Sequence, residues 1–217
     1  MAKTAPALRE ASGAANKTYR RTLAQIIKTS YMTFGYKFSW SDMEILKKTW
    51  ESIAKSNNGT FKIKNVRSFA NTNDPTLRKF ELTIPFAGSN IVLLSTELKP
   101  LKLSYKFKSE LFLEFLIYPE DFTDKIGKLF GLKEIEIGDP EFDPKFIIKG
   151  NNTGSIKKLM TLELREFLLK NYISNFKMEN LEGFSTLEMN ISVKELEFEA
   201  MQNVIQTFKD CITIIKQ

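Results

Sequence analysis

The chain has 217 residues and a mass of 25.0 kDa; 42% of its residues are hydrophobic and 27% charged, the balance of a folded globular protein. It contains one Cys and no His, which excludes Ser-His-Asp and Cys-His catalysis, imidazole general bases, Cys/His zinc sites and any internal disulfide. Its 32 basic residues outnumber 26 acidic ones, but residues 1–38 hold Lys3, Arg9, Lys17, Arg20, Arg21, Lys28 and Lys37 against Glu10 alone, leaving 25 of each sign in residues 39–217. A pI of about 9.2 is therefore weak support for a nucleic-acid partner, and nucleic acid is disfavoured. No apolar run approaches the ~20 residues that cross a bilayer. The N-terminus lacks the apolar core of a secretory signal, so a cytoplasmic location, peripheral to the inner membrane, is expected.

Residues 1–16 are small, polar and unpatterned and read as a disordered basic tail. Residues 17–38 read as an amphipathic basic helix. Tyr19, Leu23, Ile26, Ile27, Tyr31 and Phe34 recur at helical spacing, and Lys17, Arg20, Arg21 and Lys28 fall largely on other faces. Such a helix suits an anionic membrane surface or a protein partner; docking on the body is the competing reading. Residues 39–217 read as a single domain.

That domain opens with a helix near Ser41, where Ser41 and Glu44 have capping-box spacing. Ile45, Leu46, Trp50, Ile53 and Ala54 form its apolar face, and Asn57-Asn58-Gly59 stops it. From Thr60 to Tyr118 the period changes to two. Strands are expected at 60–69, 79–86, 91–95, 101–108 and 111–118, joined as an antiparallel meander. Pro119 opens a short helix ending at Gly131, and Glu134–Gly138 and Lys145–Gly150 read as strands. Residues 155–172 are helical with a break at Thr161. Leu187, Met189, Ile191 and Val193 mark a late strand, and residues 195–215 form a long C-terminal helix. The fold class is α+β, an antiparallel β-meander packed against helices; a PH-like module is the alternative.

Three features carry candidate chemistry. Asp139, Glu141 and Asp143 would project to one side of an extended backbone, where they could hold a divalent metal or act as acids. Pro140 and Pro144, and the absence of an EF-hand pattern and its glycine, favour a stiff turn with surface acids over that reading. Lys149, Gly150, Asn151 and the residues after them precede a helix as a phosphate-binding turn would, but lack the P-loop order. Cys211 sits on an apolar stripe and reads as a buried, inert thiol. No cofactor is expected.

Lys128 to Asn152, KLFGLKEIEIGDPEFDPKFIIKGNN, resembles a signature of uncharacterised bacterial proteins of Bacteroidetes type. Phe130, Gly131, Gly138, Pro140, Glu141, Phe142, Asp143, Phe146, Ile147, Ile148, Lys149, Gly150 and Asn151 carry it, and it is distantly similar to DUF3137-like membrane-associated proteins. The resemblance implies a bacterial protein with a membrane-side role and brings no catalytic residue. The sequence thus points to a non-enzymatic binding or scaffold protein, membrane-peripheral through residues 17–34. The alternative is a carboxylate enzyme with a divalent metal at residues 139–143.

Overall fold

The computed structural model describes residues 40–67, 76–96, 99–109, 112–121, 132–192 and 198–217. Its internal contacts divide the chain into Met1–Met43 and Glu44–Gln217. Four helices and nine strands follow in order: α1 (Trp40–Ser56), β1 (Thr60–Arg67), β2 (Thr76–Phe86), β3 (Ser89–Thr96), β4 (Lys99–Lys108), β5 (Phe115–Pro119), β6 (Lys133–Glu134), β7 (Phe146–Gly150), α2 (Thr153–Leu159), α3 (Leu162–Lys170), β8 (Tyr172–Leu181), β9 (Phe184–Ser192) and α4 (Phe198–Ile215). The fold is α+β, as the periodicities predict. The strands form one open, wholly antiparallel sheet in the order β1-β2-β3-β4-β9-β8-β5-β7-β6. An open sheet of nine strands is larger than the PH-like alternative requires.

Alternation gives this sheet one apolar face. A single row across it runs Phe61, Leu82, Leu93, Leu103, Met189, Phe176, Ile117 and Ile148, each residue in register with the next. All but Phe61 are buried. Full burial of each such side chain contributes about 1.5–3 kcal/mol before entropy is charged against it. Helices cover this face. Trp50 of α1 lies 5.6 Å from Phe61 and 5.7 Å from Phe80, ring centre to ring centre. Met201, Val204, Ile205, Phe208, Cys211, Ile212 and Ile215 form the buried stripe of α4, the three- and four-residue spacing that one helical face requires.

Polar contacts fix α4 at both ends. Gln202 Nε2 donates to Ser56 Oγ at 2.6 Å and Lys209 Nζ to Asn57 Oδ1 at 2.8 Å, tying α4 to the end of α1. Lys216 Nζ and Tyr105 Oη both donate to the Ala87 carbonyl, at 2.7 and 3.0 Å, tying its other end to the β2–β3 turn. Ala87 and Gly88 take φ of +46° and +83° there, the type I′ geometry that matches strand twist. Asn58 ends α1 at φ +51°, as the Asn-Asn-Gly stop predicts.

Three expectations are corrected. β5 does not follow β4 in the meander: the β8–β9 hairpin lies between them, and Ser109, just after β4, donates its amide to the Gly183 carbonyl in that hairpin's turn at 3.3 Å. The whole strand β8 was unforeseen. Its inward residues Ile173, Phe176 and Met178 are spaced three then two, because a register shift between Ile173 and Asn175 breaks the alternation. The strand expected at Glu134–Gly138 shrinks to Lys133–Glu134. The proposed Pro119–Gly131 helix starts as a 3₁₀ turn at Glu120–Asp121, and residues 122–131 lie outside the described residues.

The break at Thr161 is real. Its Oγ1 accepts from Leu164 N at 3.3 Å, capping α3, while Asn152 Oδ1 caps α2 by accepting from Ser155 N at 3.0 Å. Just before α2, a Cβ on Gly150 would sit 2.1 Å from Ile156 Cδ1 and 3.1 Å from the Glu114 carbonyl. Gly150→Ala is expected to cost about 1–3 kcal/mol through this overpacking. Adding Ile156→Val, which deletes the clashing methyl, should recover part of the loss in denaturant unfolding; equal midpoints for the single and double variants would show that the clash is relieved elsewhere.

Candidate functional site

The acidic segment is a turn and not an extended ladder, so its carboxylates do not line one side. Phe142 and Asp143 donate their amides to the Asp139 carbonyl at 3.2 and 2.9 Å. Asp143 is half-buried beneath the turn; its Oδ2 accepts from Gly138 N at 2.8 Å and Asp139 N at 3.0 Å, and its Oδ1 from Ile137 N at 3.3 Å. Asp139 Oδ1 accepts from the amides of Glu141 and Phe142 at 2.9 and 3.1 Å. Asp139 Oδ2 forms an ion pair with Arg165 Nε at 3.3 Å. Phe142 anchors the turn from below, fully buried and stacked on Phe146 at 4.8 Å. The lone pairs a divalent cation would need on Asp139 and Asp143 are thus directed at backbone amides and a guanidinium. Glu141 is exposed, and no three metal-ligating side chains converge among the described residues. The expected acidic site does not fit a metal.

The neighbouring signature residues are also structural. Asn151 Oδ1 accepts from Glu114 N at 3.0 Å and its Nδ2 donates to the Phe112 carbonyl, clamping the segment before β5. Lys149 stands half-buried on β7, opposite Leu116 and Glu134. Cys211 is buried in the α4 stripe, and loss of hydration pushes its thiol up to about 12, the inert state expected of it. Lys17, Tyr19, Arg20, Arg21, Leu23, Ile27 and Lys28 lie outside the described residues.

What the structure does gather is charge on the sheet face opposite the helices. Lys62 and Lys64 of β1, Lys79 of β2, Lys102, Lys106 and Lys108 of β4, Lys177 of β8 and Lys149 of β7 share it. Glu81, Glu188, Glu179 and Glu134 are the acids on its strands. Eight lysines therefore face four glutamates. Since residues 39–217 are neutral in sum, the remainder of that segment carries the compensating excess of acid. Charge parity in composition concealed a two-sided distribution, and period-two spacing was the signal that could have revealed it.

The glutamates bind only part of the array. Lys102 and Lys177 reach Glu188 at 2.6 and 3.5 Å, and Lys177 reaches Glu179 at 2.8 Å. Lys64 and Lys79 reach Glu81 at 3.1 and 3.7 Å. The hydrogen bond from Lys64, against partial burial and aided by the charges of Lys64 and Lys79, holds the Glu81 carboxyl below the ordinary glutamate range. Lys62, Lys106, Lys108 and Lys149 are in no ion pair with a described residue. A lysine array of this kind can attract phosphates or carboxylates.

No family model matches the chain, and no curated protein matches its sequence. Among solved structures it is similar to the mycobacterial trehalose monomycolate transport factor A, TtfA, at 10% identity and a TM-score of 0.47, over 78% of this chain and 96% of that one. No helix among the described residues is long and apolar enough to cross a membrane.

Three outcomes follow from this geometry. Asp143→Ala leaves three turn amides without their acceptor and is expected to lower stability by about 1–3 kcal/mol. Calorimetric titration of the unaltered chain with millimolar Ca²⁺, Mg²⁺ or Mn²⁺ should give no saturable heat; a saturable signal abolished by Asp143→Ala would restore the metal reading. Glu81 has a folded pKa below its unfolded one, so its contribution is complete above about pH 4.5 and is lost as pH falls through the depressed value. Replacing it by Gln should flatten the acid limb of the stability–pH curve below pH 4.5; an unchanged limb would mean that the lysine contacts do not persist in solution.

Proposed function

We propose that this chain is a non-enzymatic binding or scaffold protein that sits peripherally on an anionic membrane surface. The observation that carries this reading is the excess of lysine over glutamate on the sheet face opposite the described helices. The basic excess of residues 1–38 adds charge of the same sign. Each lysine or arginine brought near an anionic leaflet contributes roughly 1 kcal/mol, and the attraction fades beyond a Debye length of about 8–10 Å. Several such contacts are enough for reversible association without a spanning segment or a lipid anchor. The carboxylates of the acidic turn hold its backbone and the thiol is buried, which supports binding over catalysis. A bacterial membrane-side role, as the signature resemblance implies, agrees with this proposal.

The test is co-sedimentation of the full chain with neutral and with anionic vesicles, at low and physiological salt. Pelleting is expected with anionic vesicles alone and should weaken as salt rises. Lys62→Glu should reduce binding at least several-fold, and the pair Arg20→Glu with Arg21→Glu by more, since each basic residue lost costs about 1 kcal/mol. Loss with the arginine pair but not with Lys62→Glu would assign the contact to the N-terminal segment alone. Equal pelleting on both vesicles, or none, would overturn the reading.

A further inference from the structure

The β8–β9 hairpin closes on Leu181-Glu182-Gly183-Phe184, with Glu182 and Gly183 at φ +52° and +78°. Leu181 and Phe184 are paired across the turn, on the same face as the lysine array. The segment before β5 is bound to this end of the sheet: Asn180 Nδ2 donates to the Leu113 carbonyl at 3.1 Å, and Asn180 N donates to Glu114 Oε1 at 3.4 Å. Leu113 is buried, but Phe112 beside it points into solvent. Phe112 is 85% exposed and Leu181 72%, the two most exposed large apolar side chains among the described residues; Phe184 is 39% exposed. Folding has left these apolar groups in water, whereas most apolar residues of the opposite face are buried.

Lysines flank them. Lys106 Nζ stands 4.6 Å above the centre of the Phe184 ring, and Lys108 is the register partner of Phe184. Both lysines are exposed, and neither is in an ion pair with a described residue. Apolar tips flanked by Lys106 and Lys108, with the exposed carboxylate of Glu182 in the turn between them, match one environment chemically: the boundary of an anionic bilayer, where Phe and Leu enter the acyl region while ammonium groups remain at the phosphates and Glu182 stays in the headgroup layer. A soluble acidic macromolecule would satisfy the lysines and leave Phe112 and Leu181 wet.

We propose that the β8–β9 turn and Phe112 form the element of the folded body that inserts into an anionic membrane, with Lys106 and Lys108 at the headgroups. This rests on the membrane-peripheral reading above and adds which end of the sheet penetrates. The lysine array attracts from a distance and is weakened by salt, whereas the apolar tip contributes a part of binding that salt does not screen.

The experiment places an environment-sensitive dye at the tip of the full chain through Leu181→Cys; Cys211 is buried and does not compete for the label. With anionic vesicles the dye emission is expected to shift to the blue and pelleting to persist. Pelleting without a shift would overturn the insertion proposal and leave the peripheral reading standing. No pelleting would overturn both. A shift with soluble polyglutamate but not with vesicles would reassign the tip to an acidic macromolecule. An equal shift with neutral vesicles would refute the role given to the lysines. In unlabelled protein, Phe112→Ser with Leu181→Ser should keep binding at low salt but lose about tenfold or more at physiological salt. Lys106→Glu with Lys108→Glu should lose about tenfold or more at low salt. If the serine pair binds as well as the unaltered chain at both salts, the tip does not insert.

Discussion

An apolar surface eight strands wide must be kept from water, and the rest of the structure depends on how that is done. Alternation, interrupted in β8 by a register shift, puts most of that surface on one side of the sheet. The row from Phe61 to Ile148 crosses all the longer strands without a polar interruption. The described helices pack against that side. Trp50 and the α4 stripe supply the complementary apolar area, and the Lys216, Lys209 and Gln202 contacts hold α4 in place across it. The result is the two-layer arrangement typical of α+β proteins, helices gathered on one face of an antiparallel sheet.

The opposite face is a consequence of the same alternation. Residues that alternate with the core row project there, and lysine is the commonest charged residue among them. Local glutamates partner some of these cations at exposed or half-exposed positions, where each pair adds little to stability. What remains is a broad cationic surface on a segment of zero net charge. Its electrostatic character therefore comes from where charges are placed and not from how many there are.

The signature around residues 138–152 belongs to the stability of the fold. Its aspartates bind turn amides, Phe142 plugs the turn from beneath, Gly150 lets α2 approach the sheet, and Asn151 and Asn152 clamp a loop and cap a helix. Such a motif is recognisable because many backbone groups depend on few side chains. The same reasoning weakens the case for chemistry there, since most of the acceptor sites of Asp139 and Asp143 are taken by amides and a guanidinium.

The sequence by itself determined the elements whose signals are local. α1 with its Asn58 stop, the alternating strands β2 and β4, the break at Thr161 and the α4 stripe all follow from spacing and capping, which act within a few residues. It also determined that Cys211 is buried and that the lysines of β4 lie opposite its aromatics. Tertiary structure decided the rest. A register shift at Ile173–Asn175 hid β8 from any period-two reading, and strand order placed the β8–β9 hairpin between β4 and β5. The candidate surface was legible strand by strand but not as a whole, because no linear pattern states that Lys62 and Lys177 share a face. Pairing between strands far apart in the chain depends on long-range register, and only the folded sheet brings Phe112, Leu181 and Lys106 to one end.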